Sequence, residues 1–324
     1  MMNNYQYKVS VVVPVYGVRD YIEMSVESIC KQSFMDFELL LIDDGSPDDS
    51  IDIAKKVLKN YNHIQYRVIS QKNKGLPAAR NTGLRVAQGK YICYIDSDDI
   101  ITSDYLASLY TACEQNHTNA AFTEYEVVHL NKRNGVDSTD KGVLILSREE
   151  LLRNNMLRSI KIHLCAMMIK HDFIKEHNLY FNESLRYGEE VDYTWRMFPL
   201  LDNISYIQSP KYKYLVRKGS LMTAQQAEKV ICLLNHMHHV LGELTTDTTV
   251  FNNQLRWVED KIYFEKMHAF GQQSNYHEFK KLLNVTSYKM HFQKLKDFPN
   301  VKVAGISRIG ICSKFLIWMI FRLF

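Results

Sequence analysis

A chain of 324 residues, 46% hydrophobic and 23% charged, has the apolar content for a large core and the length of one large domain with an appendage or two unequal domains. Its formal net charge of +4 is too small to favour a nucleic-acid binder that works by counterion release. The six cysteines, Cys30, Cys93, Cys113, Cys165, Cys232 and Cys312, are widely spaced with no Cys-x-x-Cys, so they are expected to be reduced core thiols.

The start of the chain shows no signal-peptide pattern, which points to the cytosol or the cytosolic face of a membrane. Residues 8–14 are short and β-branched and predict a buried strand, after which Ile22, Val26, Ile29 and Cys30 recur at helical spacing. The unit repeats as a strand over 37–42 and a helix over 51–58, with Asp48, Asp49 and Ser50 as capping candidates. It repeats again as a strand over 64–70 and a helix over 77–87, with Pro77 near its first turn and Gly89 just past its end. A fourth strand follows over 91–95, then a helix over 105–116 and a strand over 120–128. Residues 131–141 read as a polar, mobile loop, and Ser147 with Glu150 forms a capping box for the next helix. Beyond Thr223 the pattern turns to helical stretches, about 225–244, 252–270 and 276–283. Strands alternating with helices imply an α/β fold with a mostly parallel sheet whose ligands gather beyond the strands' carboxyl ends.

The fourth strand runs directly into Asp96, Asp98 and Asp99. Carboxylates at the end of a buried strand are costly to desolvate without a compensating cation, and oxygen-only ligation suits Mg²⁺ or Mn²⁺. Asp43 and Asp44 end the second strand before Gly45, a pattern that also makes a good Asx turn.

Four segments in order, Val9 to Tyr16, Ile42 to Ser46 (Ile-Asp-Asp-Gly-Ser), Gly75 to Gly83 (Gly-Leu-Pro-Ala-Ala-Arg-Asn-Thr-Gly) and Asp96 to Asp99, resemble the family 2 glycosyltransferases of GT-A fold, of the bacterial surface-polysaccharide type. The resemblance covers roughly residues 8–220. It implies that Asp44 holds a uracil imide and Tyr16 packs on the base, and it places Pro14, Asp43, Arg80 and Ser97 on the donor side. Arg80 also reads as an ordinary solvated helix residue. Asp96 and Asp98 become the metal pair, with Asp98 the more direct ligand. Gly188 to Arg196 (Gly-Glu-Glu-Val-Asp-Tyr-Thr-Trp-Arg) resembles the segment that carries the general base. Glu190 stands where the family usually has Asp, and Asp192 lies two residues on. Residues two apart face different sides of a helix, so only one serves, and Glu190 is preferred. Arg217, Lys218 and Ser220 resemble a segment that closes on the donor pyrophosphate. One departure is Gly17, where these enzymes usually carry Asn.

Other patterns carry less. Gln254 to Trp257 misses the processive-synthase motif by one residue, His236, His238 and His239 lack supporting carboxylates, and the glycine patterns of dehydrogenases and P-loop proteins are absent. Phe315 to Phe321 is apolar without interruption, yet seven residues of helix cover only about 10 Å of a roughly 30 Å hydrocarbon core. Flanked by Lys314 and Arg322, it reads as an interfacial anchor, with packing on its own domain or in a homo-oligomer as the other uses. The expected organisation is a catalytic domain over 1–222, a helical region over 223–300 and a membrane-interface tail over 301–324. The expected function is metal-dependent, inverting transfer of a hexose from a UDP-sugar to a hydroxyl of a growing, lipid-linked glycan. The alternative is a non-catalytic nucleotide-sugar binder on the same fold.

Overall fold

Strand β1 (Tyr7–Val15) reads as an unbroken β-branched run because both of its faces are covered: every residue from Val9 to Val15 is buried. In the computed structural model, which describes residues 5–129, 141–157, 159–216, 231–238, 240, 258–274, 276–286, 288–297 and 301–323, β1 lies between β2 (Phe37–Asp43) and β4 (Gly89–Tyr94), parallel to both. Strand β3 (Gln65–Ser70) continues the parallel order beyond β2. The remaining strands are β5 (Ile100–Ile101), β6 (Ala120–His129), β7 (Val143–Ser147), β8 (Met167–Lys170) and β9 (Asn203–Val216). They complete a nine-stranded sheet in the order β3-β2-β1-β4-β8-β6-β9-β5, with β7 also paired to β9. Pairs made by β8, β5 and β7 are antiparallel, and β6 and β9 run parallel.

Helices α1 (Ile22–Cys30), α2 (Ser50–Leu58), α3 (Leu76–Val86) and α4 (Tyr105–Asn116) follow the expected apolar spacing. Of the capping candidates before α2, Asp48 does the work: its carboxylate accepts from the Ser50 N–H at 3.1 Å, whereas Asp49 makes no side-chain cap. Gly89 opens β4 rather than closing α3, and the reason is close approach. A Cβ there would lie 2.4 Å from the Ser10 nitrogen. The Ser147–Glu150 capping box forms before α5 (Arg148–Leu157), the Ser147 N–H donating to Glu150 at 2.8 Å and the Glu150 N–H to Ser147 Oγ at 3.3 Å.

Register sets where the chemistry gathers. Val15 pairs with Asp43 and Asp43 with Ser70, while Val12 pairs with Tyr94. The carboxyl ends of β1, β2 and β4 therefore form one rim that carries Tyr16, Asp43, Asp44 and the Asp96–Asp99 segment.

The chain divides into two units, Met1–Arg217 and Lys218–Phe324. The second contains helical residues 231–238 and helices Val258–Gln273, Tyr276–Val285, Tyr288–Leu295, Val301–Cys312 and Lys314–Leu323. The last helix packs one of its faces within its own unit, one of the uses left open by the sequence, without bearing on membrane contact of its other face. Its Ile317 and Phe321 are 0% exposed, and Phe321 packs edge-on against Phe264 and Phe279 at centroid distances of 5.5 and 5.9 Å. Among the described residues no helix is long and apolar enough to cross a membrane.

Candidate active site

At the first part of the rim, Tyr16 follows β1 and is 50% exposed, with its ring open to a planar ligand. Gly17 has φ of +64° and nothing within 4 Å of where a Cβ would stand. Asn is the other residue that visits this left-handed region routinely, so Gly at a position the family fills with Asn preserves the backbone path. Pro14 is buried in β1 opposite Ile42.

Asp44 is only 3% exposed and organises the loop between β3 and α3. Its Oδ1 accepts from Gln71 Nε2 at 2.7 Å and the Lys74 N–H at 2.9 Å, and its Oδ2 accepts from the Gly75 N–H at 2.8 Å. A carboxylate offers about four lone-pair sites, so one remains for a ligand N–H. Asp43 is partly exposed and holds the turn, accepting from the Ser46 N–H at 2.9 Å and Ser70 Oγ at 3.1 Å.

Arg80 is not on a solvated helix face; it is 0% exposed and is the centre of the acidic cluster. Its Nη2 donates to Asp96 Oδ1 at 2.8 Å and to Glu190 Oε1 at 2.9 Å, and lies 3.4 Å from Cys165 Sγ. Nη1 is 3.6 Å from Glu189 Oε1, and the guanidinium sits over the Phe181 ring. Burial alone would push the Arg80 pKa down, but Asp96 and the neighbouring acids hold it above the usual arginine value. Burial likewise pushes Asp96 up, and Arg80 beside it outweighs that and holds the carboxyl below its usual range. The next residue, Asn81, fixes the partner segment: Nδ2 donates to the Phe181 carbonyl and to Glu183 Oε1, both at 2.9 Å, and Oδ1 accepts from the Phe181 N–H at 2.8 Å. The clamped residues lie between α6 (His171–Glu176) and α7 (Glu189–Met197), and α7 carries Glu189 and Glu190, which meet Arg80.

Glu190 enters this cluster and Asp192 does not. Asp192 is 0% exposed, and its carboxylate accepts from Arg196 Nη2 at 2.6 Å and Nε at 3.1 Å, while Arg196 Nη2 also donates to the Tyr180 carbonyl at 2.7 Å. Glu189, His163 and Cys165 belong to the cluster without having been singled out in the sequence. Glu189 lies in the Gly188 to Arg196 segment, and burial pushes its carboxyl up. His163 and Cys165 precede β8 in a stretch with no chemical pattern.

Two donor sets present themselves for a divalent cation. Ligand atoms of Asp96, Cys165 and Glu190 lie within 4.8 Å of one another, but Arg80 Nη2 already donates to both carboxylates and lies against the sulfur, and burial pushes the Cys165 thiol well above its usual pKa. This set does not fit a hard ion. Asp96 and Asp98, both partly exposed at the end of β4, offer carboxylate oxygen alone and do fit. Excess negative charge is also evident at Asp99, which burial and then the charges of Asp96 and Asp98 push up to about 8. Asp99 accepts from Tyr212 Oη at 2.5 Å and the Leu215 N–H at 2.8 Å, tying the end of β9 to the acidic segment, and Ser97 is buried between. Arg217, Lys218 and Ser220, together with Asn131 to Asp140, His239 and Gln254 to Trp257, lie outside the described residues. His238 pairs with Glu259 at 2.9 Å, and among the described residues no metal-type cluster forms near it.

The chain is similar to known proteins in sequence and in fold. The sequence model of Glycosyl transferase family 2 matches residues 10–177. The chain is 31% identical over 229 residues to the glycosyltransferase GlyG of Streptococcus pneumoniae, covering 67% of this chain and 73% of GlyG. It is 29% identical over 216 residues to EpsJ of Bacillus subtilis, an uncharacterized glycosyltransferase; that match covers 66% of this chain and 62% of EpsJ, so the chain spans less than two thirds of that relative. In fold it is similar to S. aureus TarS 1–349, solved with UDP-GlcNAc, with a TM-score of 0.66, 19% identity and coverage of 98% of this chain and 90% of that one. The motifs, the GT-A type sheet and the family match agree: the chain belongs to glycosyl transferase family 2.

Proposed function

We propose that the chain is a metal-dependent, inverting hexosyltransferase that moves a sugar from a UDP-sugar to a hydroxyl of a growing, lipid-linked glycan in polysaccharide biosynthesis. One observation carries this reading: a single buried guanidinium, Arg80 Nη2, bonds both Asp96, at the proposed metal site, and Glu190, the proposed base, at 2.8 and 2.9 Å. Residues 94 positions apart in the sequence are thereby held at one centre, which puts the proposed proton acceptor and the proposed cation site within reach of one bound donor sugar.

Tyr16, Asp43, Asp44, Pro14 and Ser97 form the proposed donor side, the Tyr16 ring stacking on uracil and Asp44 accepting its imide N–H. Mg²⁺ or Mn²⁺ held by Asp96 and Asp98 would supply Lewis-acid compensation for the leaving diphosphate. Glu190 takes the proton of the acceptor hydroxyl; the acceptor oxygen bonds the anomeric carbon as the bond to the diphosphate breaks, its electron pair leaving with UDP. The anomeric configuration inverts. Arg80 bonds one oxygen of each acid and so fixes the two at one place. Arg217 and Ser220 are proposed to meet the donor diphosphate. The exposed face of the last helix is proposed to rest on the inner face of the cell membrane, where a lipid-linked acceptor would lie.

A thermal-shift panel of UDP-, GDP- and dTDP-sugars with Mn²⁺ identifies the donor class, because the preferred ligand raises apparent stability by mass action. UDP release from the stabilising donor then separates transferase from binder. A UDP-sugar that stabilises the protein yet is never turned over, with water or with lipid-linked glycan as acceptor, would leave the binder as the correct reading.

A further inference from the structure

The two oxygens of Glu190 are not equivalent. Oε1 accepts from Arg80 Nη2 at 2.9 Å, which ties it to a full positive charge. Oε2 faces the ring of His163, with Nε2 at 3.6 Å. The other ring nitrogen, Nδ1, accepts from the Cys165 backbone N–H at 3.2 Å and so caps the short turn Leu164–Ala166. In a neutral imidazole an accepting Nδ1 leaves the proton on Nε2, so the group that faces Oε2 is an N–H donor. The ring is held in place by Tyr125, Tyr212 and Tyr214 at centroid distances of 5.3, 5.5 and 5.8 Å. Tyr212 is itself anchored to Asp99.

We infer that His163 is the positioning residue for Glu190: its Nε2–H holds Oε2, so that Oε2 and not the Arg80-bound Oε1 receives the proton of the acceptor hydroxyl. The inference rests on the reading of Glu190 as the base. A separation of 3.6 Å is longer than a hydrogen bond; the terminal torsion of a glutamate is broad, and the contact requires a small rotation about it that keeps Oε1 on Arg80. Arg80 bonded to one oxygen and His163 facing the other then set the orientation of the carboxylate. A cap on a short turn uses only Nδ1, and Nε2 is left to face Oε2.

Two measurements test this. Nitrogen-15 NMR of the intact protein is expected to find the His163 ring protonated on Nε2 and bare on Nδ1; the opposite tautomer would put a lone pair against a carboxylate and overturn the inference with no substrate needed. The second measurement is UDP release from UDP-N-acetylglucosamine or UDP-glucose with Mn²⁺ and water as acceptor. His163→Asn keeps an acceptor for the Cys165 N–H and loses the reach to Glu190, and His163→Phe keeps the aromatic packing. Both are expected to lower kcat about tenfold with donor KM within about twofold, and His163→Gln, whose amide N–H reaches further, to recover part of the loss. In a Glu190→Gln background His163→Asn is expected to have no further effect, a coupling that a purely structural cap would not produce. If Glu190→Gln is inactive while His163→Asn matches the unaltered chain, the positioning role alone fails. If Glu190→Gln is active, the base assignment fails and His163 with it.

Discussion

Glu190 and Asp192 stand two positions apart, and their partners separate their roles. Replacing Glu190 by Gln keeps the shape of the side chain and a bond to Arg80 but removes the proton acceptor. Turnover is expected to fall by about 10²–10⁴ with UDP binding little changed, because a base acts in the transition state. Asp192→Asn instead weakens the buried pair with Arg196, so the expected loss is in melting temperature, with kcat per folded molecule nearly intact; the reverse result would exchange the two roles. The clue was present in the sequence, since Arg196 follows Asp192 at the i,i+4 spacing of a helical ion pair. Asp98→Ala is expected to remove the Mn²⁺-dependent part of UDP binding and leave the melting temperature close to that of the unaltered chain. Calorimetric titration of UDP with Mn²⁺ and with EDTA decides this, and equal affinity of the unaltered chain under both conditions would end the metal assignment. Asp43, Asp44, Asp96 and Asp98 were legible because they stand at the ends of apolar strands. His163 was not, because a lone histidine before a short strand has no pattern, and its meaning comes only from which atoms it meets.

Between elements, α3 is the part that joins the two halves of the candidate site. Its Arg80 gathers the acids, and its Asn81 clamps residues 181–183 ahead of α7, so one helical turn sets both the charge and the position of the base. Asn81→Ala would leave the buried Phe181 N–H and carbonyl without these partners. The expected cost is about 2–3 kcal/mol of stability, read as a lowered denaturation midpoint. Because α7 loses its anchor, kcat should fall by more than UDP affinity does. If turnover falls no further than the folded fraction, Asn81 is only structural. The first hundred residues were readable at this scale because each strand and helix there is short, regular and bounded by turn residues. Strand β9 was not: its 14 residues include Ser205, Ser209, Pro210 and Lys211, and its register with β6 shifts around Glu124, which breaks the period a reader would look for. The burial of Arg80 was equally hidden, since an arginine among alanines looks solvated until the acids from β4 and α7 arrive around it.

At the scale of the whole chain, the uninterrupted apolar run near the C-terminus has an explanation the sequence alone left open: the last helix has two apolar faces. Ile317 and Phe321 fill the core of the helical unit, while Phe315, Leu316 and Met319 remain exposed on the other side. Tyr276 and Trp318 stand beside Phe315 at centroid distances of 5.2 and 5.9 Å, a group of amphipathic rings of the kind that favours a membrane interface. Deleting residues 306–324 would therefore remove core side chains and unfold the unit, so it cannot report on membrane contact. Point substitution of the exposed face can. Changing Phe315, Leu316 and Met319 together to Ser is expected to keep the melting temperature within a few degrees. Each side chain is about half exposed, so each stands to bury about 1 kcal/mol of apolar surface in the interface, and the three together correspond to a roughly 10²-fold loss of partitioning into vesicles. Lys314 and its basic neighbours add about 1 kcal/mol apiece on anionic lipid, a share that salt removes while the apolar share persists. Co-sedimentation with anionic and with neutral vesicles, at low and high salt, reads both contributions. Should the unaltered chain stay in the supernatant with either lipid, the exposed face has another occupant, such as a second copy of the chain, and the proposal of a lipid-linked acceptor loses its structural support.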